Sequence, residues 1–149
     1  MNLDERTLVV VADGRRAEIF EEARRGGPLE PWPDALSAMT VPGTGHGPGP
    51  GRVYDRAGHA FHGVTSESPH DAAERHFVTA LAKHFDTLHR ERPFDGLVII
   101  APPKALGVLR KALSPAMKHR LRASEAKEIT GATASVVRTT LHDLRLARS

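Results

Sequence analysis

No cysteine occurs among the 149 residues, which excludes disulfides, thiolate metal centres and a cysteine nucleophile and leaves the compartment open. Aromatics are scarce as well. One Trp, one Tyr and five Phe give little material for recognising bases by stacking. No apolar run approaches the ~20 residues of a membrane-spanning helix. The run Leu8 to Ala12 is too short for the core of a signal peptide, and Met1-Asn2-Leu3-Asp4-Glu5-Arg6 leads with acids. The sequence therefore predicts a cytoplasmic protein without membrane insertion.

What is present begins with Phe94-Asp95-Gly96-Leu97-Val98-Ile99-Ile100-Ala101-Pro102-Pro103-Lys104. Leu97 to Ala101 is unbroken and apolar, as a strand covered on both faces must be. Pro102 and Pro103 end it, because proline cannot donate to a ladder. Pro103 suits the first turn of a helix, and Leu106, Leu109 and Leu113 then recur at the spacing of one apolar face. The unit is strand, sharp turn, helix.

Around it, Thr7 to Ala12 reads as strand one, with Asp13-Gly14 as a two-residue hairpin signal and Ala17 to Glu22 as strand two. Pro31 and Pro33 allow at most an edge strand near Trp32. From Val41 to Pro69 the chain changes character, with Gly43, Gly45, Gly47, Gly49 and Gly51 alternating with proline, threonine and histidine, so a flexible Gly/Pro-rich loop is expected at about 41–69. Ser68-Pro69 caps a long helix to about Arg92, with Phe77, Leu81, Phe85 and Leu88 as its buried stripe. Ser114-Pro115 repeats that cap grammar for a short basic helix through Arg122. A strand is expected over Ala123 to Ile129, and Thr133 caps a last helix with Val137, Leu141 and Leu144 on one face. The result is one α/β domain over residues 1–149. Its order, three antiparallel strands and then αβαβα, is that of a ribonuclease H-like, three-layer fold with a mixed five-stranded sheet.

The segments VVVADGRRAEIFEE, GPGRVYDRAG, ERHFVTALAKHFDTL and FDGLVIIAPPKALGVLRKAL resemble the bacterial family of proteins required for attachment to host cells. The resemblance covers nearly the whole chain. That family resembles in turn the middle domain of archaeal and eukaryotic peptide release factors and of Pelota. The resemblance implies a ribonuclease H-like shape and a ribosomal partner, and Arg52-Val53-Tyr54-Asp55 matches the family's loop motif: either Arg52 and Tyr54 form a loop contact for a partner, or Val53 and Tyr54 pin the loop back to the body.

Catalysis finds little support in the residues. Two-metal nuclease chemistry needs acids in strand one, the long helix and the end of the central strand. Here Asp13 falls in the turn, Asp95 lies at the wrong end of its strand, and Glu74 reads as a surface acid. Release factors act through Gly-Gly-Gln; this chain has no glutamine, and Gly26-Gly27 is followed by Pro28. Histidines such as His59, His62 and His70 lack metal-site spacing, and His76, His84 and His89 share no helix face. No catalytic residue, metal or cofactor is expected.

Charge points elsewhere. Lys104, Arg110, Lys111, Lys118, Arg120 and Arg122 occupy a stretch free of acids, while the whole chain carries only +3. This is either a solvated helix face or a surface that grips an RNA backbone by charge and shape. Lys104 also borders the turn after the central strand, where α/β sheets collect ligands. The leading expectation is a non-catalytic binding protein of RNA or ribosomes. The alternative is a protein–protein adaptor or surface-associated factor in attachment. The oligomeric state is left open.

Overall fold

The computed structural model describes residues 4–41 and 67–148. The loop proposed over 41–69, with Arg52 and Tyr54, lies almost wholly outside them.

β1 (Thr7–Ala12) and β4 (Gly96–Ala101) are buried at every position and lie side by side in parallel. Residues alternate between the two faces of a strand, so total burial requires both faces to be covered. On one face Leu8, Val10, Leu97 and Ile99 pack beneath α1 (Pro69–Glu91), α2 (Pro103–Ala112) and α3 (Pro115–Arg120). On the other, Val9, Val11, Val98 and Ile100 meet Val137, Leu141 and Leu144 of α4 (Ala134–Arg148). β2 (Ala17–Glu22), β3 (Leu29–Pro31) and β5 (Leu121–Ala126) complete an open mixed sheet of order β3-β2-β1-β4-β5. β2 runs antiparallel to both neighbours and β5 parallel to β4. This α/β arrangement, helices on both faces of a mixed five-stranded sheet, is consistent with a ribonuclease H-like fold.

The helix starts follow the cap grammar. Ser68 Oγ accepts from Asp71 N at 3.0 Å, and Ser114 Oγ accepts from Met117 N at 3.2 Å, each with proline in the first helical turn. Within the α1 stripe, Leu81, Phe85 and Leu88 are fully buried, whereas Phe77 is only partly so.

Two local expectations are corrected. The turn between β1 and β2 centres on Gly14-Arg15 rather than Asp13-Gly14, because Asp13 N donates to Arg16 O at 3.0 Å and Ala12 pairs with Ala17. Gly14 is not in the left-handed region; the Asp13 carboxylate holds the turn by accepting from Arg15 N (2.7 Å) and Arg16 N (2.9 Å). The basic helix stops at Arg120 instead of Arg122, and β5 starts at once, spanning Leu121–Ala126 rather than 123–129. Parallel pairing of Leu97 with Leu121, and of Val98 with Ala123, draws these residues into the sheet, with Arg122 at the irregularity between the pairs.

The C-terminal helix is also held by a buried carboxylate. Glu22, at the end of β2, is 0% exposed and accepts from Arg145 Nη2 (2.7 Å), Arg145 Nη1 (2.9 Å), Arg138 Nη2 (2.9 Å) and Gly26 N (3.0 Å).

Candidate functional site

β1 and β4 are parallel and adjacent, so their carboxyl ends open side by side, with the β1–β2 turn on one side and the first turns of α1 and α2 on the other. A cleft of about 570 Å³ lies there. Val78, Pro102, Ala105 and Val108 form its apolar part, and Asp13, Arg15, Glu67, Asp71, Glu74, Arg75 and Lys104 its charged part. Its position, outside the carboxyl ends of parallel strands, is where open α/β sheets take ligands.

The charges sit in pairs. Lys104 Nζ on α2 meets Asp71 Oδ1 on α1 at 3.0 Å. This contact holds the Asp71 carboxyl below its ordinary value and the Lys104 ammonium above its own. Arg75 Nη2 meets Glu67 Oε1 at 2.6 Å, with the same opposed shifts. Glu74, expected to be an isolated surface acid, has partners: His70 Nε2 at 3.1 Å and, more loosely, Arg15 Nε at 4.0 Å. Its carboxyl also lies over the turn, where a Cβ on Gly14 would come within 2.6 Å of it.

Asp13 is committed to structure. Burial pushes its carboxyl up, but the N–H groups of Arg15 and Arg16 and the Thr130 hydroxyl outweigh burial and hold it below its ordinary value. Thr130 Oγ1 reaches Asp13 Oδ2 at 2.8 Å. A carboxylate so engaged is a poor metal ligand, and no group of three or more metal-binding side chains converges among the described residues.

The six cations of the acid-free stretch separate in space. Lys104 stands at the carboxyl end of β4. Arg122 stands at the amino end, donating to Glu5 Oε2 (2.7 Å) and to Asp95 O (2.9 Å). The six residues of β4 between them span about 20 Å at ~3.3 Å each. Arg110 and Lys111 occupy the last turn of α2, and Lys118 and Arg120 the last turn of α3. Because β5 starts beside the amino end of β4, these four belong to Arg122's end of the sheet. Arg110, Lys111 and Lys118 are exposed and make no ion pair with any described carboxylate. Arg120 is half-buried, and its Nε has no hydrogen-bond partner among the described residues.

Glu67, Asp71, Arg75 and Arg15 escaped the sequence reading of the cleft. Their only local signal is the position of Asp71 in the first turn of a capped helix. Recognising the rest requires knowing that β1 and β4 are parallel neighbours.

Fold and cleft together define an α/β protein with an open mixed sheet and a ligand-sized cleft at the carboxyl ends of its central strands. The chain belongs to the family described as protein required for attachment to host cells, whose model matches residues 8–141. No curated protein matches it. Among the described residues, no helix is long and apolar enough to cross a membrane.

Proposed function

We propose that this is a binding protein that engages RNA, on the ribosome, through the basic surface at the amino end of its sheet. The observation behind this reading is the grouping of Arg110, Lys111 and Lys118, exposed and without described acidic partners, on two successive helices. Unpaired cations on a rigid scaffold attract a phosphate backbone because binding releases its counterions. A fold shared with the release-factor middle domain, as the sequence resemblance implies, would favour a ribosomal partner. Such a partner places the protein in the cytoplasm and requires no catalytic step from it.

Co-sedimentation with ribosomes across a salt series tests the reading. Binding should weaken steeply with salt, and Arg110→Glu, Lys111→Glu and Lys118→Glu together should abolish it. If single neutralisations each remove one phosphate contact, each should lower the slope of log K against log salt by about 0.7–0.9. Unchanged binding by the triple variant would refute the assignment of this surface. Arg122 is left intact because its pair with Glu5 ties β5 to the start of β1.

The family's description favours a second reading, a protein-binding factor in attachment to host cells. It predicts protein at the surface of intact cells, accessible to added protease, which the ribosomal reading does not.

A further inference from the structure

We propose that the cleft at the carboxyl ends of β1 and β4 is a second, separate site that takes a small zwitterion with an aliphatic body, an α-amino acid or a short peptide with free termini. Its volume of about 570 Å³ falls in the ~300–1,000 Å³ range of small-molecule sites. The balance of charge identifies the ligand class. The four carboxylates of the lining outnumber its three cations, so a polyphosphate or other polyanion meets net repulsion. A simple cation gains Glu74 but leaves Lys104 and Arg15 nothing new to bind.

A zwitterion matches both signs. Glu74 is the least firmly held carboxylate, 4.0 Å from Arg15 with His70 its nearer partner, and so is available to an ammonium group. Arg15 is 73% exposed and Lys104 68% exposed at the side chain, and both can turn toward a carboxylate. Lys104 also opens a helix with no side-chain cap and no acid in its first turn, which favours negative charge there. The existing pairs are solvent-screened and individually weak, so a ligand can exchange into them at low cost. Val78, Ala105 and Val108 offer apolar surface for the aliphatic side chain that projects beside the two charged groups.

The test uses the full chain with leucine, tri-leucine, N-acetyl-leucine, leucinamide and inorganic phosphate, followed by calorimetry and by backbone amide shifts of Gly14, Lys104 and Ala105. Leucine or tri-leucine should bind and move those amides. N-acetyl-leucine and leucinamide, each lacking one charge, should bind at least about tenfold more weakly, since a hydrogen bond to a charged group is lost. Tighter binding of tri-leucine assigns the site to peptides; tighter binding of leucine assigns it to free amino acids. Glu74→Gln should remove the preference for the ammonium group, and Lys104→Met the preference for the carboxylate, while the amide spectrum elsewhere stays that of a folded chain. The proposal is overturned if neither zwitterion binds at millimolar concentration, if the blocked compounds bind equally well, or if phosphate is preferred. Ribosome binding has no part in any of these readouts, so either proposal can fail alone.

Discussion

Replacing Glu22 by Gln should cost about 3 kcal/mol of folding stability at neutral pH. The side chain is 0% exposed at the end of β2, and its oxygens accept from Arg145, Arg138 and Gly26 N. Removing one member of a buried ion pair typically costs about 3–5 kcal/mol, because the surviving charge is left uncompensated. Here the survivors are arginines whose side chains remain 16% and 29% exposed, so water recovers part of the loss. That places the expectation at the lower end. With a urea slope of about 2 kcal/mol/M, the unfolding midpoint should fall by about 1.5 M. The dependence on pH has a definite sign. Burial pushes the Glu22 carboxyl up, but hydrogen bonds and charge from Arg145 and Arg138, with Gly26 N–H, outweigh it and hold the group below its ordinary 4.5. Its stabilising contribution is therefore complete above the unfolded value and lost as pH falls through the lower folded value. The gap between parent and variant should be full at pH 7 and close below about pH 4.5. A double-mutant cycle with Arg145→Gln should give a coupling of at least about 1 kcal/mol. A Glu22→Gln variant within about 0.5 kcal/mol of the parent at pH 7 would refute the view that this carboxylate fastens α4 to the sheet.

Ser114→Ala removes both the α3 cap and the bond from Ser114 Oγ to Asp86 Oδ1 at 2.8 Å, and should lower stability by about 1–2 kcal/mol in urea titration. Leu141→Ala empties a fully buried position between α4 and the sheet and should cost about 2–5 kcal/mol by the same measurement, with α4 amides losing hydrogen-exchange protection first. Asp13→Ala should cost about 1–2 kcal/mol at pH 7, since the N–H groups of Arg15 and Arg16 lose their acceptor. Because the Asp13 carboxyl is held below its ordinary 3.8, that difference should shrink only as pH falls below about 4.

Where structure is local, the sequence was readable. Unbroken apolar runs identified β1 and β4, and the Ser-Pro pairs at Ser68 and Ser114 located two helix starts to the residue. β5 was misplaced because Leu121-Arg122-Ala123-Ser124-Glu125-Ala126 has little intrinsic strand character; the ladder offered by β4 imposes it. The hairpin centres one residue later because the Asp13 carboxylate accepts from Arg15 N and Arg16 N and so holds a Gly14-Arg15 turn in which Gly14 takes no positive φ. The cleft was legible only as the turn containing Lys104. Glu67, just before the α1 cap, and Asp71 and Arg75 within α1 lie about thirty residues or more upstream of Lys104, and only packing of α1 against α2 brings them together.

Charge shows most clearly what linear reading misses. Six cations without an acid between them suggest one basic face, yet the chain reverses between Lys104 and Arg122 and carries them to opposite ends of β4. At the carboxyl end, Lys104 is matched by an acid from α1, and the local field is mixed. At the amino end, Arg110, Lys111 and Lys118 make no ion pair with any described carboxylate, and this is the end proposed for a polyanion. The two ends are separated by about 20 Å, twice the ~10 Å screening length at 0.1 M salt, so exposed charges at one end have little influence on the other. Reversing Arg110, Lys111 and Lys118 should therefore leave leucine binding at the cleft unchanged within about twofold. Glu74→Gln and Lys104→Met should likewise leave ribosome co-sedimentation unchanged. Loss of both activities in a folded variant of either end would mean that the two surfaces act as one site, with the sheet between them coupling them.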